Sequence, residues 1–156
     1  MNLKELRLSK KISQEKASEI CGVSLRTYKT YENDSSKKGT IKYNYIMSVI
    51  CEYGKIDENH GILTIDSIKS NCSDIFKEYD VPFCYLFGSY AKNSANERSD
   101  VDLLIGGNIS GLKFYGLTEK IRQSLNKKID ALDLNQLVNN RNLIHEILST
   151  GIKIYG

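Results

Sequence analysis

With 156 residues, 40% of them apolar and 26% charged, the chain has the make-up of a folded protein rather than a disordered one. No apolar run approaches the ~20 residues that span a bilayer, and the charged amphipathic N-terminus excludes a secretory signal, so a cytoplasmic location away from any membrane is expected. Residues 1–55 hold 11 Lys/Arg against 6 Asp/Glu, a balance of +5, and residues 56–156 hold 11 against 13, a balance of −2, so only the N-terminal third suits a polyanionic partner.

Leu3, Leu6 and Leu8 begin a first helix. Ser13 is placed to cap a second, running to Cys21, with Glu15 in its first turn. Gly22 and Val23 make a tight turn, and Ser24 caps a third helix that reaches about Asn33. After a polar loop from Asp34 to Gly39, one face of a fourth helix is marked by Ile41, Tyr45, Val49, Ile50 and Tyr53. The stretch Lys55–Thr64 breaks this pattern and is expected as a linker between domains at 1–55 and 65–156.

Beyond it the pattern alternates. Ile68, Cys72, Ile75, Phe76 and Tyr79 form a helical stripe, Pro82–Phe87 an apolar strand, and Val101–Ile105 a second strand. Leu112, Tyr115, Ile121 and Leu125 predict a helix leading to a third strand over Lys128–Leu134. A helix from about Asn135 to Ser149 follows, stopped by Gly151, and Ile152–Tyr155 closes as a short strand. The expected class is α+β: an N-terminal all-α helix-turn-helix domain followed by a small α/β fold with a mixed sheet.

Two short helices joined by a Gly-containing turn, inside a basic helical unit, read as a helix-turn-helix. Leu6-Arg7, Ser13-Gln14, Ala17, Gly22-Val23-Ser24, Thr27 and Tyr31-Glu32-Asn33 carry a closer resemblance, to the phage-repressor (Xre) family of DNA-binding domains, over about residues 2–53. Asp34 stands where that family usually has glycine. The resemblance implies that Gln14 touches a DNA phosphate and that Ser24, Leu25, Arg26, Lys29 and Thr30 lie at the DNA interface. The same helices also suit a docking module that meets only protein.

The chemistry concentrates between Gly88 and Asp102. Gly88 follows an apolar strand and has no side chain, so a triphosphate can approach its backbone. Ser89 adds a hydroxyl at the start of a helix, where unpaired N–H groups favour anionic oxygens. After ten intervening residues, Asp100 and Asp102 stand two apart on a strand and therefore share a face. Two such anions repel unless a cation lies between them, and Mg²⁺ suits one or two carboxylates plus substrate phosphates.

Gly-Ser, ten residues, then Asp-x-Asp and Leu103-Leu104-Ile105 resembles the nucleotidyltransferase superfamily that includes DNA polymerase beta, and within it the minimal nucleotidyltransferases, from about Val81 to Tyr155. The resemblance implies catalytic and metal-binding roles for Asp100, Asp102 and a third carboxylate, Asp130, with two Mg²⁺ ions and ATP as substrate. Asp133 is the other candidate for the third position, and its place before a helix reads as a cap. Gly88, Ser89 and Lys92 become the nucleotide-binding set. Lys92-Asn93 stands where most minimal members have Arg-Gly, which keeps a cation but loses its bidentate geometry.

Minimal nucleotidyltransferases often resemble antitoxins that silence HEPN-type ribonuclease toxins by adding AMP to a toxin tyrosine. The partners this implies are a HEPN-type toxin, a nucleotide triphosphate and the chain's own promoter DNA, bound as a homodimer where half-sites are inverted. Two other readings stay open at this point: a DNA-binding regulator with a catalytically weak nucleotide-binding half, and a small-molecule transferase of the aminoglycoside type, which usually adds a helical lobe. Cys21, Cys51, Cys72 and Cys84 are widely spaced among apolar neighbours and read as buried thiols. Arg141 and His145, four apart on one helix, read as a surface pair, and Tyr28, Tyr45, Tyr79 and Tyr85 as core residues.

Overall fold

Hydroxyl and amide side chains set the starts of the N-terminal helices. In the computed structural model, which describes residues 1–156, Asn2 and Glu5 form a reciprocal capping box that starts α1 (Leu3–Ser9). Ser13, Ser24 and Thr40 likewise cap α2 (Gln14–Ile20), α3 (Leu25–Asn33) and α4 (Ile41–Glu52) by accepting from a backbone N–H three residues on. Gly22, at φ +63°, turns the chain between α2 and α3. Leu3, Leu6, Ala17, Tyr28, Ile46 and Ile50 form the core of a unit spanning Met1–Lys55. At its edge the Arg7 guanidinium grips Glu32 with two bonds, 2.8 and 3.1 Å, and Gln14 Nε2 donates to the same carboxylate at 2.8 Å.

Several apolar residues of this unit face the other way from expectation. Leu8 is exposed, and α4 buries Tyr43, Ile46 and Ile50 while Ile41 and Tyr45 lie open, Ile41 at 91%. This helix is apolar nearly all round, so two stripes were equally periodic. The inward one is fixed by contact with α1, where the Tyr43 hydroxyl accepts from the Leu3 N–H at 3.3 Å. Cys51 is exposed, unlike the other three cysteines.

The second unit, Ile56–Gly156, is built from α5 (Ile65–Glu78), β1 (Cys84–Phe87), α6 (Gly88–Ala91), β2 (Val101–Ile105), α7 (Gly111–Leu125), β3 (Ile129–Asp133), a 3-10 turn (Leu134–Leu137), α8 (Arg141–Thr150) and β4 (Ile152–Tyr155). The sheet runs β3-β2-β1-β4, with β1 antiparallel to β2 and β4. β2 and β3 are parallel, and α7 supplies the crossover that a parallel pair requires. α5 and α7 cover one face, burying Ile68, Phe76, Leu103, Leu117 and Ile121 together. The other face carries a thinner cluster of Phe87, Leu104 and Ile147. Along β2, Val101, Leu103 and Ile105 point to the thick side and Asp102 and Leu104 to the thin side.

Three segments depart from expectation. In α7, Leu112 and Tyr115 are exposed and the inward stripe is Leu117, Ile121 and Leu125. The helix expected over 135–149 is interrupted, because Asp133 caps the 3-10 turn, Asn139 sits at φ +71° and Asn140 then caps α8. The stretch expected as a linker is largely built into this unit: Leu63 is buried in its core and Lys127 Nζ reaches the His60 carbonyl at 3.1 Å.

Candidate active site

The parallel register of β2 and β3 sets Asp102 beside Asp130 on the thin face of the sheet, and Asp100 lies just before β2. Burial pushes the Asp102 carboxyl up to about 6, and the charges of Asp130, Asp100 and Glu146 push the same way. Only Lys92 opposes them. The cluster is therefore short of positive charge. Its side chains are not drawn into a three-ligand shell; Asp100 instead turns toward Lys128, 3.5 Å away. Asp133 is not part of the group, since its carboxylate accepts from the Gln136 N–H and caps the 3-10 turn.

Gly88 stands against this cluster. Phe87 pairs with Asp102 across β1 and β2, so the next residue meets the carboxylate side-on. Gly88 adopts φ +69°, and a methyl group there would collide with the Asp102 side chain. Both the backbone angle and the missing Cβ are thus required. Ser89 follows, half-buried, and its carbonyl accepts from the Ser94 N–H at 2.9 Å, closing the chain back on itself. α6 is a single turn, so what it offers an anion is local N–H groups and not a helix dipole. Asn93, at φ +56°, takes up left-handed geometry where glycine was the usual residue. Lys92 Nζ is held by Glu146 of α8 at 2.6 Å.

Glu146 and Lys127 escaped sequence reasoning. Glu146 reaches the cluster only through the packing of α8, and nothing local marks it. Lys127 is fully buried, its ammonium held by the Glu97 carbonyl at 2.6 Å and by that of His60. Glu97 belongs to the loop between Ser89 and Asp100, so Lys127 fixes the segment that carries the first carboxylate. A lysine ahead of a strand ordinarily reads as surface. A cavity of about 310 Å³ bounded by Leu63, Thr64, Asp66, Tyr90 and Asn93 contains none of Asp100, Asp102 and Asp130.

In the N-terminal unit α3 turns Tyr28 inward and leaves Arg26, Lys29 and Thr30 exposed, with Leu25 half-buried. The Ser24 hydroxyl is engaged by Thr27, and the Gln14 amide by Glu32. Arg26 and Lys29 are thus the open cations of this helix.

A family model described as "Polymerase beta, Nucleotidyltransferase" matches residues 70–156, more than half of the chain. The chain belongs to the polymerase beta nucleotidyltransferase family. This nucleotidyltransferase also carries a match to a helix-turn-helix model over residues 3–40. It is similar to two Methanocaldococcus jannaschii proteins named as protein adenylyltransferases. One is 32% identical over 77 residues, 48% of this chain and 83% of that protein; the other is 32% identical over 74 residues, 46% and 76%. Among solved structures it resembles a chain of a toxin-antitoxin with AMP-PNP, at 20% identity and a TM-score of 0.49, covering 60% of this chain and 74% of that one. A second is a tri-AMPylated Shewanella oneidensis HEPN toxin in complex with MNT antitoxin, at 18% identity and a TM-score of 0.46, covering 60% and 73%. No helix of the nucleotidyltransferase is long and apolar enough to cross a membrane.

Proposed function

We propose that this nucleotidyltransferase moves AMP from ATP onto a tyrosine hydroxyl of a partner protein, a HEPN-type toxin, and that its N-terminal unit binds the promoter of its own operon. The observation that carries the first part is the half-buried Asp102, crowded by Asp130, Asp100 and Glu146 and pressed against the Cβ-free Gly88. Hard oxygen donors short of positive charge fit a divalent cation, which Asp100, Asp102 and Asp130 would hold. When bound, Mg²⁺ supplies the positive charge that offsets charge developing on the phosphate oxygens.

The protein's own groups do the rest. Gly88 and the backbone around Ser89 let the triphosphate come close, and Lys92 leans toward it when released from Glu146. The tyrosine oxygen forms a bond to the α-phosphorus, the bond to the bridging oxygen breaks, and pyrophosphate leaves with that electron pair. Asp130, exposed beside Asp102, takes the phenol proton. The likeness to proteins named as protein adenylyltransferases supports a protein acceptor. Promoter binding is supported by the helix-turn-helix match and by the open cations Arg26 and Lys29.

The test is transfer of label from α-labelled ATP to a purified HEPN-type partner. It should require Mg²⁺, add one or more adenylates by mass, and fall by at least ~10³-fold in Asp102→Asn, a loss of the size seen when key transition-state contacts are removed. Label transferred equally well by that variant sinks the assignment.

A further inference from the structure

The sheet ends at β3, and a second cavity opens along that edge. It measures about 510 Å³ and is lined by Ser110, Phe114, Tyr115 and Thr118 from α7 and its approach, facing Ile129, Ala131 and Asp133 of the strand. Asp130 borders it, and no lysine or arginine lines it. A phosphate is unwelcome between two carboxylates with no cation, so the cavity does not suit the triphosphate.

The backbone of β3 adds a second observation. The Lys128 carbonyl accepts from the Val101 N–H at 2.9 Å. By the two-residue period of a strand, Lys128, Asp130 and Leu132 turn their peptide groups toward β2, while Ile129 and Ala131 turn theirs outward, where the sheet has no further strand. The side chains alternate as well. Ile129 and Ala131 pack on the thick face beside the cavity, and Leu132, with Asp130, lies on the thin face with Asp102.

We infer that the acceptor protein presents an extended segment that pairs with the outer edge of β3 as a fifth strand. Successive residues of such a strand point to opposite faces. An apolar or aromatic residue therefore enters the Phe114/Tyr115 cavity while its neighbour, the hydroxyl-bearing one, comes over the edge beside Asp130. Main-chain bonds supply affinity and the cavity supplies selectivity, as in other cases of strand addition. This deepens the proposed transfer reaction and rests on it only for the role of Asp130.

The test uses the full chain and the peptide Ac-Lys-Phe-Tyr-Phe-Lys-amide, in which the tyrosine has an aromatic neighbour on either side and the lysines suit the acidic edge. Amide NMR shifts should gather at Ile129, Ala131, Phe114, Tyr115 and Thr118. Methylating the backbone nitrogens of the three central residues should weaken binding at least ~10-fold, as should Ala131→Pro, which removes an outward N–H without touching the β2 ladder. Tyr115→Lys, at an exposed position, should do the same by removing the aromatic wall and repelling the peptide's lysines, and it keeps the test valid if the proline variant fails to fold. With ATP and Mg²⁺ the peptide should gain one adenylate on its tyrosine. Equal binding of the methylated peptide, or shifts at Phe114, Tyr115 and Thr118 produced by ATP alone, overturns the inference. Asp102→Asn should still bind the peptide, so a failed transfer reaction and a failed docking site are told apart.

Discussion

Glu32 and Asp102 are both carboxylates withdrawn from water, one in each unit, and their environments push them in opposite directions. Burial raises the Glu32 carboxyl, but hydrogen bonds from Arg7 and Gln14 and the Arg7 charge outweigh it and hold it below its ordinary 4.5. Burial raises Asp102 too, and three further carboxylates add to the rise with only Lys92 against them. The first has been given partners by its own fold. The second has been left short of one, an environment that marks a candidate functional group.

The largest expected effect tests the satisfied half of this contrast. The Arg7 and Glu32 side chains are 10% and 1% exposed. Breaking such a pair from one side strands a buried charge, so Glu32→Gln should cost the N-terminal unit about 3 kcal/mol in urea unfolding. Asp102→Asn removes one of several crowded negative charges and should leave the second unit as stable as before or slightly more so. A stability loss in Asp102→Asn equal to that in Glu32→Gln would erase the distinction.

A smaller effect follows from pH. Asp102 rises from 3.8 to about 6, so its ionisation opposes folding: the penalty is absent below the ordinary value and complete above about 6. Taking the second unit from pH 7 to pH 5 should therefore stabilise it, on the order of 1–2 kcal/mol, and saturating Mg²⁺ should flatten that slope. Glu32 works with the opposite sign. Its contribution is complete above the ordinary glutamate value and is lost as pH falls through its lowered value, so the N-terminal unit should weaken only in stronger acid. Hydrogen exchange, read unit by unit, separates the two trends. A second unit whose stability rises steadily from pH 5 to pH 7 contradicts the account of Asp102.

An effect of similar size belongs to α3, the helix proposed to face DNA. Arg26→Ala should weaken operator binding by about 1–3 kcal/mol and relax sequence preference, while Lys29→Ala should weaken all sequences alike and reduce the salt dependence by about one counterion. Unchanged binding in both variants would leave the N-terminal unit as a protein-docking module.

Much of this organisation could be read from residue order. Ser13, Ser24 and Gly22 announce the helix-turn-helix because capping and positive φ are local demands, and β2 and β4 stand out as short apolar runs with clear stops. Asp100 is near Asp102 because it stands two residues away at the entry to β2, though its side chain turns toward Lys128. What could not be read depends on tertiary contact: which stripe of the nearly all-apolar α4 turns inward, and the arrival of Glu146 beside Asp102. Lys127 is the sharpest case, since its burial follows from two backbone carbonyls that come from segments 30 and 67 residues away.

The thiols have a consequence of another kind. Burial pushes Cys72 up to about 12 and raises Cys21 and Cys84 as well, which leaves them sluggish toward electrophiles at neutral pH. Cys51, exposed near the end of α4, is alone in being open to reagent. A maleimide dye added to the unaltered protein should thus mark one atom per chain, and it places that mark on the helix-turn-helix unit, far along the sequence from the carboxylates. The molecule arrives already prepared for single-site labelling, with a reporter on one unit and the chemistry on the other.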